Sequence, residues 1–288
     1  MQCPNCSSSD VVKKGWAFNV GGKRQRYKCN NCRRKFSEAD AAVVESEMPA
    51  VLTIDIETLP ILGYAWAAYD TNLIRVKEDW CCACWGAKWW GDERVVSDVM
   101  TVKETETRND ERICRTLWRL FDEADVIIGQ NIKKFDFKKM NTRWWYWGMG
   151  PPSSSKVIDT LETAHRAFSM TFNNLDYLAN YRGIGKKKET GGFDLWDDFM
   201  AGDKEAREHM VEYCVHDVEL DEKVYDSMKP WVYNHPKLTA YNKVIGVCPV
   251  CFGENYTNIG FYQAPVQKYA EFRCSDCLSV WHSTRPEK

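Results

Sequence analysis

At 288 residues, with 44% hydrophobic and 28% charged residues, the chain can bury the core of one catalytic domain and carry small appendages. No window approaches the ~18 uncharged apolar residues of a membrane span, and no signal peptide is recognisable, so a cytoplasmic protein without membrane contact is expected. The net charge of −2 conceals nine Lys or Arg against two acids over residues 1–38, four of each over 246–288, and 26 against 35 between them, which suggests a polyanion met through the basic end.

Eight of the thirteen cysteines fall into four Cys-x-x-Cys pairs, which in a chain expected to stay in a reducing compartment points to metal rather than disulfides. Cys3 and Cys6 are separated from Cys29 and Cys32 by 22 residues. Two such knuckles complete a closed tetrahedral Zn²⁺ site, and in so short a segment the metal supplies the folding free energy. The run from Arg24 to Lys28 and from Arg33 to Phe36 resembles the small zinc ribbons that open some DNA-binding, transposase-associated proteins. Its basic residues, interleaved with Tyr27 and Phe36, suit phosphates and bases. The bland alternative is a zinc-stabilised protein contact. Residues 1–38 are therefore read as an N-terminal zinc ribbon, and the acidic, Ala-rich stretch 39–48 as a linker.

The next element, Val51–Thr58, is β-branched and apolar and reads as a buried strand. Asp55 and Glu57 lie two positions apart on it and so share a face. Further strands are expected over 64–69, 79–90 and 95–100, with Cys81, Cys82 and Cys84 packing the core, followed by a helix over 110–123 and a short buried strand over 126–129. Gly129 then lets the chain turn, and Asp136 is delivered on the first turn of a helix running towards Trp147. A strand over 156–158 follows, with Asp159 as N-cap of the next helix and Glu162 completing a capping box. A helix over 174–181 leads to a Gly- and Lys-rich loop, 183–192, containing Lys186, Lys187 and Lys188; such a loop either tracks a phosphate backbone or is merely solvated. A long helix over 203–227 buries Met210, Val211, Cys214, Val215 and Val218 and places Tyr213 and Asp217 on one face, with Pro230 stopping it. The alternation of strands and helices predicts an α/β domain with a mixed sheet and flanking helices.

Cys248, Cys251, Cys274 and Cys277 repeat the first ribbon's 22-residue spacing, so 246–288 reads as a second, C-terminal zinc ribbon with a second structural Zn²⁺. His282 is a bystander, because four thiols fill the site. Trp144, Trp145 and Trp147 at helical spacing read as core.

Asp55-Ile-Glu57-Thr, Asn131 through Phe135-Asp136, and Tyr213-x-x-x-Asp217 stand in the order and contexts of one family. Residues 49–232 resemble the DEDD exonucleases of the RNase H-like superfamily, in the branch with Tyr rather than His, a His branch requiring His where Glu212 stands. Gln130 departs from the His that many relatives carry before Asn. The resemblance implies a 3′-to-5′ exonuclease using two Mg²⁺ or Mn²⁺ ions held by Asp55, Glu57, Asp136 and Asp217, with Tyr213 orienting the attacking water. It also implies that Leu59 wedges between the last two bases and that Asn131 and Phe135 hold the terminal nucleotide. The expected partner is single-stranded nucleic acid with a free 3′ end, DNA favoured, and a replication or repair protein is a further candidate. Two other readings stay open: a zinc-ribbon recruitment protein using the nuclease fold as scaffold, and a structure-specific endonuclease.

Overall fold

The computed structural model describes residues 3, 8–19, 22–33, 35–37, 48–67, 69, 72–242 and 244–287. The chain divides into two compact units, one formed by 1–48 with 242–244 and the other by 49–241 with 245–288. In the first, β1 (Val11–Asn19), β2 (Gly22–Cys29) and β3 (Lys35–Ser37) make an antiparallel sheet. Cys3 and Cys29 are buried beside Tyr27. The expected linker 39–48 lies outside the described residues except for Met48.

The second unit is built on a five-stranded mixed sheet of order β10-β9-β4-β7-β8. At its centre is β4 (Val51–Leu59), parallel to β9 (Val126–Gly129) and antiparallel to β7 (Cys81–Trp89). β8 (Val96–Val99) continues the antiparallel side and β10 (Lys156–Asp159) the parallel side. The apolar run of β4 is buried because helices cover the sheet, as parallel pairing requires. Cys81, Cys82 and Cys84 are core residues, as expected. Six further elements surround the sheet: α1 (Val102–Thr107), α2 (Glu111–Glu123), α3 (Asp136–Tyr146), α4 (Thr160–Ala167), α5 (Leu175–Tyr181) and α6 (Asp194–Met200). The long α7 (Lys204–Met228) crosses β4 and β7. It comes so close that a Cβ on Gly86 would lie 3.1 Å from the Val218 side chain, so glycine there sets how near the helix can sit to the strand. Pro230 falls in a single 3₁₀ turn, Lys229–Trp231, that closes α7.

The sequence reading needs four local corrections. A strand over 64–69 does not form; instead β5 (Leu62–Tyr64) and β6 (Arg75–Glu78) make a separate two-stranded hairpin. Helices α1 and α6 were not foreseen, being six and seven residues long with little periodicity to show. Asp159 does cap α4, accepting from Glu162 N at 3.1 Å, but the capping box is absent because the Glu162 carboxylate takes Lys133 Nζ at 2.5 Å. Trp144 is buried as expected, whereas Trp145 is exposed.

Under α2 and α3 lies a buried polar hub. Asp110 receives two hydrogen bonds from the Arg143 guanidinium, at 2.7 and 2.5 Å, one from Trp147 Nε1 at 2.7 Å and one from Cys82 N at 2.8 Å. Every lone pair that burial strips of water is thus met by a donor.

The C-terminal cysteine module, β11 (Tyr256–Gln263), β12 (Lys268–Cys274) and β13 (Val280–His282), belongs to the same unit as the sheet. Phe252 packs on the cluster of Val51, Val126, Ile128, Ile158, Tyr225 and Leu238, and its ring lies 6.2 Å from that of Trp90. Leu238 N donates to Pro249 O at 2.7 Å.

Candidate active site

Strand alternation places Asp55 and Glu57 on one face of β4, and α7 crosses that face with Tyr213 and Asp217 one turn apart. Candidate ligand oxygens of Asp55, Glu57 and Asp217 all lie within 4.8 Å of one another. Asp136 stands outside that triplet, at the start of α3, and is 2% exposed. The chain reaches it through a tight turn. A Cβ on Gly129 would lie 2.9 Å from the Ile132 side chain, so glycine is required there by close approach rather than by its φ. Asn131 supplies the left-handed residue, with φ 59°. The Asp159 carboxylate then receives Asn131 N at 3.1 Å and Lys133 N at 3.2 Å, so the α4 cap also fixes the loop that delivers Asp136.

Crowding and burial shape the electrostatics. Burial raises Asp55 well above the usual carboxylate range, and Glu57, Asp136 and Asp217 raise it further. Burial lifts Glu57 to about 7, against the pull of Lys187, and lifts Asp136 to about 8 despite backbone hydrogen bonds. Asp217 is likewise raised by burial, while Lys187 draws it down. One oxygen on each of Asp55, Asp136 and Asp217 is buried without a hydrogen-bond partner among the described residues. Asp55 and Asp217 line a cleft of about 470 Å³ and, with Glu57 and the buried Asp136, offer the carboxylate oxygens that hard divalent cations take, so the residues fit Mg²⁺ or Mn²⁺.

Lys187 and Asp221 join the site beyond the motif residues. Lys187, from the 183–192 loop, places Nζ 2.6 Å from Asp217 Oδ2 and 4.8 Å from the centre of the Tyr213 ring. The loop is pinned by Lys187 N donating to Asp176 Oδ1 at 2.8 Å and His216 Nε2 donating to Lys186 O at 2.9 Å. Burial raises Tyr213 to about 12, so it is no base at neutral pH and acts as a hydrogen-bonding group. Asp221, one turn beyond Asp217, is 3% exposed and is raised to about 7, chiefly by burial. The Thr160 hydroxyl lies 2.7 Å from Asp221 Oδ1 and 2.5 Å from Gln130 Oε1, yet has one proton to give. A proton on Asp221 satisfies the set. Gln130 also donates to Asn173 O at 2.9 Å, so the residue that departs from the expected His ties the second motif to the far wall of the cleft.

The expected nucleotide contacts divide. Asn131 lines the cleft and Phe135 is 37% exposed beside Asp136. Leu59 does not face it, and this is a correction: α6 reaches the strand end through Trp196 Nε1 donating to Thr58 O at 3.2 Å, and Leu59 is fully buried in the cluster that contains Leu195 and Phe199. Sealed there, it presents no surface to a base.

The sulfurs of Cys248, Cys251, Cys274 and Cys277 also converge within 4.8 Å, with Sγ pairs at 3.6 and 3.7 Å. Cys3, Cys29 and Cys32 converge similarly, Cys3 and Cys32 at 3.5 Å, while Cys6 lies outside the described residues. A tetrahedron with Zn–S bonds of ~2.3 Å has S···S edges of about 3.8 Å, so both groups fit zinc. His282 is not among these ligands; it stacks on Tyr262 with ring centres 4.8 Å apart.

The sequence pattern of the RNase H superfamily matches residues 78–229, slightly more than half the chain and including Asp136, Tyr213 and Asp217. No curated protein sequence matches. Among solved structures, the family B DNA polymerase from the hyperthermophilic archaeon Pyrobaculum calidifontis is similar, with 22% identity and a TM-score of 0.47. The similarity covers 63% of this chain and 25% of that one, so it extends over a quarter of the polymerase's length.

Proposed function

Because the chain belongs to the RNase H superfamily, we propose that it is a phosphodiesterase of the DEDD type with tyrosine at the third motif, removing nucleotides from the 3′ end of single-stranded nucleic acid. The observation that carries this reading is the convergence of Asp55, Glu57 and Asp217, with one oxygen of Asp55, of Asp217 and of the buried Asp136 left without a hydrogen-bond partner among the described residues. A purely structural core has no use for mutually repelling acids, whereas a phosphoryl-transfer site does.

Asp55, Glu57, Asp136 and Asp217 would hold two Mg²⁺ or Mn²⁺ ions, which when bound supply Lewis-acid stabilisation of the attacking and leaving oxygens. The chain's own groups do the rest. Tyr213 offers its phenolic proton to orient the attacking water. Lys187 neutralises Asp217 and gives a positive charge that can meet a phosphate once the acid is otherwise engaged. Asn131 and Phe135 hold the terminal nucleotide, the first by its polar side chain at the cleft wall and the second by its exposed ring. Asp159 and Gln130 keep that loop in register.

Residues 1–38 and 246–288 are proposed to be zinc ribbons that tether this chemistry to substrate or to a replication or repair protein, the basic first ribbon suiting nucleic acid better than the neutral second. The test uses 5′-labelled single strands of DNA and RNA with free or blocked 3′ ends, and a circular strand, in Mg²⁺ or Mn²⁺. Stepwise shortening that requires a free 3′ end and is abolished by Asp55→Ala is the expected result. Cutting of the circle assigns an endonuclease instead, and no cleavage of any strand overturns the enzymatic reading.

A further inference from the structure

The segment that leaves β4 does not return to the sheet at once. Among the described residues the β5–β6 hairpin pairs with no further strand, and along it Ile61, Tyr64, Trp66, Tyr69, Ile74 and Val76 are exposed, Trp66 by 87% and Tyr69 by 99%. A short hairpin of this kind buries no core of its own, and a solvent-facing cluster of large apolar residues marks a contact surface. Its stem is nevertheless fixed. Arg108, in the left-handed conformation at the end of α1, donates to Pro60 O at 2.9 Å on one leg. It also donates to Asp79 O at 2.8 Å and the Glu78 carboxylate at 2.7 Å on the other.

Rings and a cation lie between the second-motif acid and the base of this arm. Phe135 immediately precedes Asp136, and one turn further along α3 the Lys139 ammonium lies 5.5 Å from the Phe135 ring centre and 3.7 Å from that of Trp80. Trp80 follows the hairpin directly and adjoins Cys81, which pairs with Leu59. Its backbone is therefore about three strand positions, roughly 10 Å, beyond Glu57. That is the length of about three stacked nucleotides at ~3.4 Å each. Neither Lys139 nor Arg75 has a carboxylate at ion-pair distance among the described residues.

We propose that a single strand of nucleic acid passes from the Asp55 cleft over Phe135, Lys139 and Trp80 onto the aromatic arm, where its bases stack on Trp66 and Tyr69. Exposed Phe135, Trp66 and Tyr69 offer faces for bases, and Lys139 and Arg75, free of carboxylate partners at ion-pair distance among the described residues, offer charge for phosphates. This rests on the phosphodiesterase reading of the acids, and the experiment separates the two. Binding of labelled single strands is measured with Asp55→Asn protein, in which hydrolysis is removed, so strand binding is read whether or not the wild type cleaves.

Adding Trp66→Ala and Tyr69→Ala together should weaken binding of a strand of about twelve nucleotides by about 10- to 100-fold. The deficit should shrink towards none with a trinucleotide, which is too short to reach the arm. Trp66→Phe with Tyr69→Phe, which keeps the rings, should bind within about twofold of the parent. Unchanged binding by the double alanine protein overturns the proposal and leaves the arm to a protein partner. An equal deficit on both strand lengths, or in the phenylalanine protein, also overturns it.

Discussion

Replacing Asp136 by asparagine should stabilise the protein when no divalent cation is added, and only at high pH. Burial raises Asp136 from 3.8 to about 8. A native pKa above the unfolded value means that the folded state holds a proton the unfolded chain has released. The penalty is absent below about pH 4 and grows as pH rises towards about 8. At ~1.4 kcal/mol per pH unit the full gap is worth roughly 6 kcal/mol, almost none of it incurred at about pH 4. Neighbouring acids take up protons in response, so about half of that difference should be observable, on the order of 2–3 kcal/mol. Asparagine mimics the protonated acid. Asp136→Asn should therefore match wild type within about 0.5 kcal/mol at about pH 4 and exceed it by about 2–3 kcal/mol at about pH 8. Urea unfolding at both pH values, with and without Mn²⁺, measures this, and Mn²⁺ should abolish the advantage by stabilising the wild type alone. A stability difference that is the same at both pH values, or that survives Mn²⁺, refutes the idea that unmet carboxylate charge is stored in the cleft.

Lys187→Met removes the amine that competes for Asp217, so calorimetric titration should show Mn²⁺ binding several-fold tighter, while the cation-free protein loses about 1–2 kcal/mol at neutral pH. Arg143→Met leaves Asp110 buried and unpaired and should cost about 3–5 kcal/mol by urea unfolding, with part regained on adding Asp110→Asn. Cys274→Ser should lower bound zinc by one ion per chain, read by elemental analysis, and should lower the unfolding midpoint of the whole second unit, because Phe252 then loses its hold on the Val51 cluster.

The acids were legible because chemistry fixes both their identity and their spacing. Two carboxylates on alternate positions of an apolar strand, and Tyr213 and Asp217 one turn apart on a striped helix, are readable without coordinates. Lys187 was not legible as a site residue, since a lysine in a Gly-rich loop is ordinarily solvated. What aims it is a pair of backbone anchors, Asp176 and the ring of His216, that no local pattern announces. Asp221 had a readable cue, its position one turn beyond Asp217, but its neutral partnership with Thr160 depends on α4 arriving from another part of the chain. Leu59 failed for the opposite reason: motif position implied exposure, and a seven-residue helix with weak periodicity covered it. The hairpin was mistaken for a sheet strand because its aromatic composition favours β structure whether or not a sheet receives it.

Phe252 also imposes an order on biosynthesis. Val51 opens the central strand, but the Phe252 ring that packs on its cluster is translated some two hundred residues later, so at ~5–20 residues per second the cluster lacks that partner for about 10–40 s. During that interval the sheet is completed strand by strand while part of its apolar wall still awaits Phe252, the kind of surface that chaperones engage. Under the zinc-ribbon proposal the closing step would depend on Cys248, Cys251, Cys274 and Cys277 capturing a zinc ion, and maturation would then follow the zinc supply of the cell that makes the protein.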